Sequence, residues 1–128
     1  MGWLSIVAVG VGAAGGAWLR WGLGAWLNPM LRSLPLGTLA SNLLGGYLVG
    51  LAVGFFSHHP GLGPEARLLI ITGFLGGLTT FSTFSAESVH LLSRGEWAWA
   101  LAHGFLHLAG SLALTFAGMG TMNVLMRP

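Results

Sequence analysis

Cysteine is absent from this 128-residue chain, and charge is scarce: 5 Lys+Arg and 3 Asp+Glu amount to 6% of the residues. Without cysteine there is no disulfide framework and no thiolate metal site. A soluble domain carries about 25% charged residues, so a water-facing surface could not be covered here. Disordered chains are polar and charged, whereas this one is 54% hydrophobic. The five basic residues are all arginines and are scattered, so nothing forms the basic stripe that a nucleic acid partner requires. The pI of about 10.6 therefore reflects a shortage of acids. What remains is the class of integral membrane proteins.

Four apolar stretches fill the chain as one membrane domain over residues 1–128, with spans at about 2–27, 34–56, 66–92 and 97–125. Polar or proline-containing breaks separate them: Asn28-Pro29-Met30-Leu31-Arg32-Ser33, Ser57-His58-His59-Pro60-Gly61 and Arg94-Gly95-Glu96. As helix, each stretch can cross a hydrocarbon core of about 30 Å. Spanning strands would be shorter and would alternate in polarity, which these do not. The fold class expected is thus all-α. The segment from Met1 to Leu19 has no basic n-region and reads as a span that stays rather than a cleaved signal. Trp3, Trp21, Trp26, Trp97 and Trp99 fall near span ends, where interfacial aromatics belong. Glycines four apart (Gly12 and Gly16; Gly46, Gly50 and Gly54) let helix backbones approach closely in lipid.

Orientation carries almost no signal. With four spans, Arg67 and Arg127 share one side, and Arg32 and Arg94 the other, joined by Arg20 if it snorkels outward. The positive-inside rule does not choose a side on such a balance. Either the chain inserts both ways and pairs antiparallel, or subtler cues fix one orientation.

Chemistry concentrates in the third stretch, Gly73-Phe74-Leu75-Gly76-Gly77-Leu78-Thr79-Thr80-Phe81-Ser82-Thr83-Phe84-Ser85. Each of the paired glycines weakens a helix by about 1 kcal/mol relative to alanine. The threonines are poor helix formers whose side chains compete for backbone groups. A break near Gly76 to Thr80 is expected; the alternative is a kinked helix whose hydroxyls bond back to i−4 carbonyls. At membrane depth, freed carbonyls can coordinate a cation, and helix N-termini favour anions. Phe81 and Phe84 share one helix face. A phenyl edge is positive and can attract a small anion, to which the hydroxyls of Ser82, Thr83 and Ser85 can donate. Two phenylalanines can equally face lipid or fill a core.

Other polar groups are few. Asn42, in mid-span, needs a partner; it can donate to an anion or hold helices together. His103, His107, Ser111 and Thr115 recur every four residues as one polar stripe, which either lines a track or binds a neighbouring helix. The two histidines have no evident third ligand for a metal. Arg20, followed by Trp21, is expected to snorkel, or to draw anions into a vestibule. Glu87 is expected to pair or hydrogen-bond near the end of its span.

Three motifs together resemble the Fluc/CrcB family of fluoride channels. The first is Gly12-Ala13-Ala14-Gly15-Gly16-Ala17-Trp18-Leu19-Arg20-Trp21, similar to the family's Gly-Gly-x-x-Gly-Ala-x-x-Arg-Tyr except at Ala13 and Trp21. The second is Gly37-Thr38-Leu39-Ala40-Ser41-Asn42-Leu43-Leu44-Gly45, and the third is the Gly-Gly-x-Thr-Thr-Phe-Ser-Thr-Phe-Ser run from Gly76. The last is the most specific, and the order of all three is more so. The fourth span matches poorly. The resemblance implies a multi-pass protein of the cell membrane: a dual-topology antiparallel homodimer that exports fluoride passively and uses no enzymatic chemistry. It implies a structural Na⁺ on the backbone carbonyls of Gly76 and Thr79, and a pore lined by Phe81, Phe84 and Asn42 with the nearby Ser82 and Thr83. It also implies a vestibule arginine at Arg20 and a fourth-span track for which Ser111 and Thr115 are candidates, with His107 a weaker one. The partners implied are fluoride and the lipid bilayer.

Two rivals differ in class. A small dual-topology multidrug or cation transporter needs a membrane-embedded carboxylate, and the first span has none. An intramembrane enzyme could use Ser111 with His107, but no oxyanion-hole or nucleophile motif surrounds them. A non-conducting helical scaffold is a third alternative.

Overall fold

Uninterrupted apolar runs wind into helix because every backbone polar group must be satisfied within the segment when no water is present. The computed structural model describes residues 2–128, so Met1 lies outside the described residues. The first helix is Trp3–Leu27, extended by a 3₁₀ turn at Asn28–Met30; the second is Leu36–His58 and the fourth Trp97–Leu125. The third span, Pro64–Ser93, is assembled from pieces. Pro64–Arg67 leads into wide π-type turns at Leu68–Leu75 and a last turn at Gly76–Leu78; Ser82–Ser93 follows. Between these pieces Thr79 is extended, at φ −91° and ψ 155°. All four spans are long and apolar enough to cross a membrane.

The second and third spans differ from the expected bounds by up to two residues, for local reasons. The second helix starts at Leu36 because Pro35 stands at its N-cap in extended geometry. The third starts at Pro64 because proline fits the first helical turn, where its missing N–H is not needed. Gly95, at φ 74°, turns the chain into the fourth helix. Asn28 supplies the cap that Pro35 cannot: its Oδ1 accepts from the amides of Gly37 (2.7 Å) and Thr38 (3.3 Å).

Packing divides the spans. The second helix lies along the fourth, and the first lies along the leading part of the third, residues 64–78. The trailing part, Ser82–Ser93, packs instead against the fourth helix. The third span thus changes neighbours at residues 79–81. Ala52, Phe56, Leu75 and Leu78 form the buried centre. Outward faces are apolar, and all five span-end tryptophans are exposed, as suits side chains that meet lipid and its interface.

The second and fourth helices cross with their backbones touching. A Cβ on Gly50 would overlap the Thr115 carbonyl, and one on Gly118 would overlap the Tyr47 carbonyl. Neither obstacle is a side chain that can swing away. Gly50→Ala is therefore expected to cost about 1–3 kcal/mol of stability, read as a lowered unfolding midpoint of the purified protein in detergent; an unchanged midpoint would show that the helices part freely.

Candidate functional site

Where the third span changes neighbours, ordinary helical hydrogen bonds stop. The Thr79 amide still reaches the Leu75 carbonyl (3.0 Å), and the Thr79 hydroxyl bonds to the same oxygen (2.8 Å). The Thr80 amide does not continue to Gly76; it donates to Asn42 Oδ1 at 2.8 Å. The Thr83 amide, which would close a turn onto Thr79, donates to Thr80 Oγ1 at 3.1 Å. The carbonyls of Gly76 and Thr79 thereby lose their helical donors. Gly77, between them, has its carbonyl taken by Arg20 Nε at 2.9 Å.

Arg20 accordingly does not simply snorkel outward. The end of residues 64–78 presents carbonyls carrying partial negative charge, and a guanidinium within reach is drawn to them. The sequence held no signal for this contact, which joins residues 57 apart.

Asn42 is the hinge-pin of the site. Its amide nitrogen donates to the Thr80 carbonyl (2.9 Å) and lies 2.9 Å from His107 Nδ1, while its oxygen accepts from the Thr80 amide. Both amide hydrogens are engaged, so a ligand that takes one must displace Thr80 or His107.

Beside it opens a cleft of about 450 Å³. Seven of the residues singled out from sequence line it: Asn42, Gly76, Thr79, Phe81, Phe84, His107 and Ser111. Thr80 lines it as well. Phe81 is 79% exposed, with its ring centroid 5.6 Å from that of Phe84. Phe84 stacks on His103 (5.0 Å, 26°) and tilts against His107 (4.6 Å). The two imidazoles therefore cover part of the Phe84 ring, and the rest of it lines the cleft.

Four candidates stand outside the cleft lining. Ser82 is exposed, 3.3 Å from Thr80 Oγ1, and Thr83 is half-buried on the following turn. Thr115 lies with its hydroxyl 2.9 Å from the carbonyls of both Gly46 and Ser111, in a helix-joining position. Arg20 is engaged at Gly77, as described.

The structure also gathers a group that spacing did not reveal. Glu87 accepts from Thr38 Oγ1 at 2.6 Å, and its other oxygen lies 3.4 Å from His103 Nε2. His103 and His107 are buried, at 0% and 6% exposure. Glu87 comes from the third span and the histidines from the fourth, so the grouping depends on the trailing part of the third span packing against the fourth helix.

Comparison with known proteins identifies what the chain is similar to. A family model described as "CrcB-like protein, Camphor Resistance (CrcB)" matches residues 7–119. Over 125 residues the chain is 65% identical to the "Fluoride-specific ion channel FluC" of Cupriavidus necator and 62% identical to that of Cupriavidus pinatubonensis, each alignment covering 98% of this chain and 99% of the relative. A protein of the same name from Thiobacillus denitrificans is 58% identical over 121 residues, covering 94% of this chain and 98% of its own length.

Proposed function

Because the chain belongs to the CrcB family, we propose that this multi-pass membrane protein is a fluoride-specific channel, through which F⁻ leaves the cell passively. Hydrogen fluoride crosses bilayers as a neutral weak acid and ionises inside, trapping the anion. An interior-negative potential then favours exit by about 2.3 kcal/mol per 100 mV, so a selective passage suffices and no energy source is needed.

The observation that carries this reading is the convergence of Phe81, Phe84 and Asn42 on one cleft beside Thr79 and Thr80. A dehydrated anion in it meets the Phe81 and Phe84 rings and the Thr80 segment, with Ser82 and Thr83 just outside the lining, rather than a full positive charge, which would hold it too tightly to conduct. Ser111 extends the polar lining along the fourth helix, toward Thr115 one turn on. Arg20, near the cleft's helix end, supplies positive potential at the entrance.

In this reading the third span is functionally discontinuous at residues 79–81. The carbonyls of Gly76 and Thr79, stripped of helical donors, are hard oxygen ligands of the kind that suits Na⁺. One chain offers two such oxygens, and a second copy in an antiparallel homodimer offers a matching pair. The balanced arginines support insertion in both orientations. Na⁺ would neutralise the converging carbonyl dipoles and is not itself carried.

The test is purified protein in liposomes loaded with fluoride or chloride. When a potassium shunt relieves the voltage, fluoride is expected to leave rapidly and chloride at least a hundredfold more slowly. Equal rates for the two ions would refute selectivity, and no flux of either would refute a channel.

A further inference from the structure

Among the described residues, five buried side-chain polar atoms make no hydrogen bond of good geometry, and four of them belong to one cluster: Glu87 Oε1, His103 Nδ1, His103 Nε2 and His107 Nε2. Such concentration is unusual, since buried polar groups are almost always satisfied and each orphan is costly in a membrane. One nitrogen from each histidine and one Glu87 oxygen lie within 4.8 Å of one another. We propose that Glu87, His103 and His107 bind a divalent transition-metal cation of the zinc type.

The donor chemistry fits. Two imidazoles and one carboxylate are a recurrent three-ligand set for Zn²⁺, with a fourth position left to water. Ligands about 2.0–2.1 Å from a tetrahedral ion stand roughly 3.3–3.4 Å from each other, and His103 Nε2 lies 3.4 Å from Glu87 Oε1. A proton shared between those atoms explains the pair less well. Charge-assisted N–H···O bonds close to about 2.7–2.9 Å, and this contact leaves both atoms without a hydrogen bond of good geometry. A cation would satisfy the carboxylate and both rings together. Thr38, bonded to the other Glu87 oxygen, and Phe84, stacked on His103, already fix the ligands' orientation.

His107 links this cluster to the cleft. Its Nδ1 accepts from Asn42, which leaves the neutral ring's proton on Nε2. Metal binding at Nε2 sends that proton to Nδ1 and breaks the Asn42 contact; binding at Nδ1 displaces the Asn42 hydrogen directly. On either route metal and Asn42 compete for His107. As a corollary that rests on the proposed function, an occupied cluster slows fluoride.

The experiment titrates Zn²⁺ and Co²⁺ into the full chain, purified in detergent and stripped with chelator. One saturable Zn²⁺ per chain is expected, and Co²⁺ should give the intense visible bands of tetrahedral coordination. His103→Gln and His107→Gln should each weaken binding at least tenfold, whereas His58→Gln and His59→Gln, at the far end of the second helix, should leave it unchanged. Absence of saturable binding to the unmodified protein overturns the proposal without reliance on any variant; so does binding that survives both cluster substitutions or is lost with His58 and His59. Binding is read without transport, so a failed fluoride assay leaves it intact. Bound Zn²⁺ with undiminished fluoride flux would overturn the corollary alone.

Discussion

Asn42→Ala is expected to cost stability and flux together. The substitution removes the side chain that pairs with both the Thr80 amide and the Thr80 carbonyl, and frees His107 Nδ1. Each backbone group left unpaired in a partly buried setting costs about 1–3 kcal/mol, so the Thr80 pair alone accounts for roughly 2–6 kcal/mol. Water entering the cleft relieves part of this, which places the expected loss in the lower half of that range. The segment at residues 79–81 then loses its anchor to the second helix, and fluoride efflux per reconstituted chain should fall at least tenfold. Thermal unfolding in detergent and liposome efflux, normalised to incorporated protein, measure the two effects. Asn42→Asp separates them further, because it retains the acceptor for the Thr80 amide and loses both donors. An alanine variant with parental stability would mean that Thr80 finds other partners and that the amide is dispensable.

Replacing both phenylalanines with isoleucine should leave the fold largely intact and reduce fluoride efflux on the order of a hundredfold. Isoleucine keeps an apolar side chain of useful bulk but has no ring quadrupole. Edge contacts between aromatic rings contribute about 0.5–1.5 kcal/mol; taking the same scale for an anion at a ring edge, with each 1.36 kcal/mol tenfold in rate, each ring accounts for up to about tenfold. Phe84→Ile should be the more damaging single change. Phe84 is stacked against His103 and tilted against His107, whereas Phe81 touches Phe84 and is otherwise open. The readout is the fluoride rate beside an unchanged elution volume on size exclusion. A double variant that conducts like the parent would remove the aromatic edge from the mechanism.

Much of this organisation is legible in the amino-acid sequence. Four apolar runs and their polar or proline-containing breaks define four helices, since hydropathy and helix length are local properties. The Gly76-Gly77 pair followed by Thr79 and Thr80 marks a place of low helix propensity, and there Thr79 is extended and the Thr80 amide bonds to Asn42. Asn42 stands out because an amide in mid-span needs a partner, although spacing cannot say whether that partner is a ligand or Thr80. The engagement of Arg20 with Gly77 is not legible, because snorkelling and inward capping depend on which carbonyl a neighbouring helix leaves free. The role of Glu87 is equally hidden. Its distance from the histidines in sequence says nothing about a contact created by two packed helices, so the two histidines alone show no third ligand. Thr115 shows the converse: helical spacing puts it on a polar stripe, yet its hydroxyl lies against two carbonyls.

The backbone contact at Gly50 and Gly118 also sets a timescale. Two helices that touch through main-chain atoms have no compressible layer between them, so they move as one plate. In the proposed channel, accommodation of a passing ion would then fall to torsions of single side chains such as Phe81, which relax in picoseconds to nanoseconds, and not to excursions of whole helices, which need microseconds or longer. A channel walled in this way would have little capacity to shut by rearranging its frame, and its gating would fall to a few rotamers.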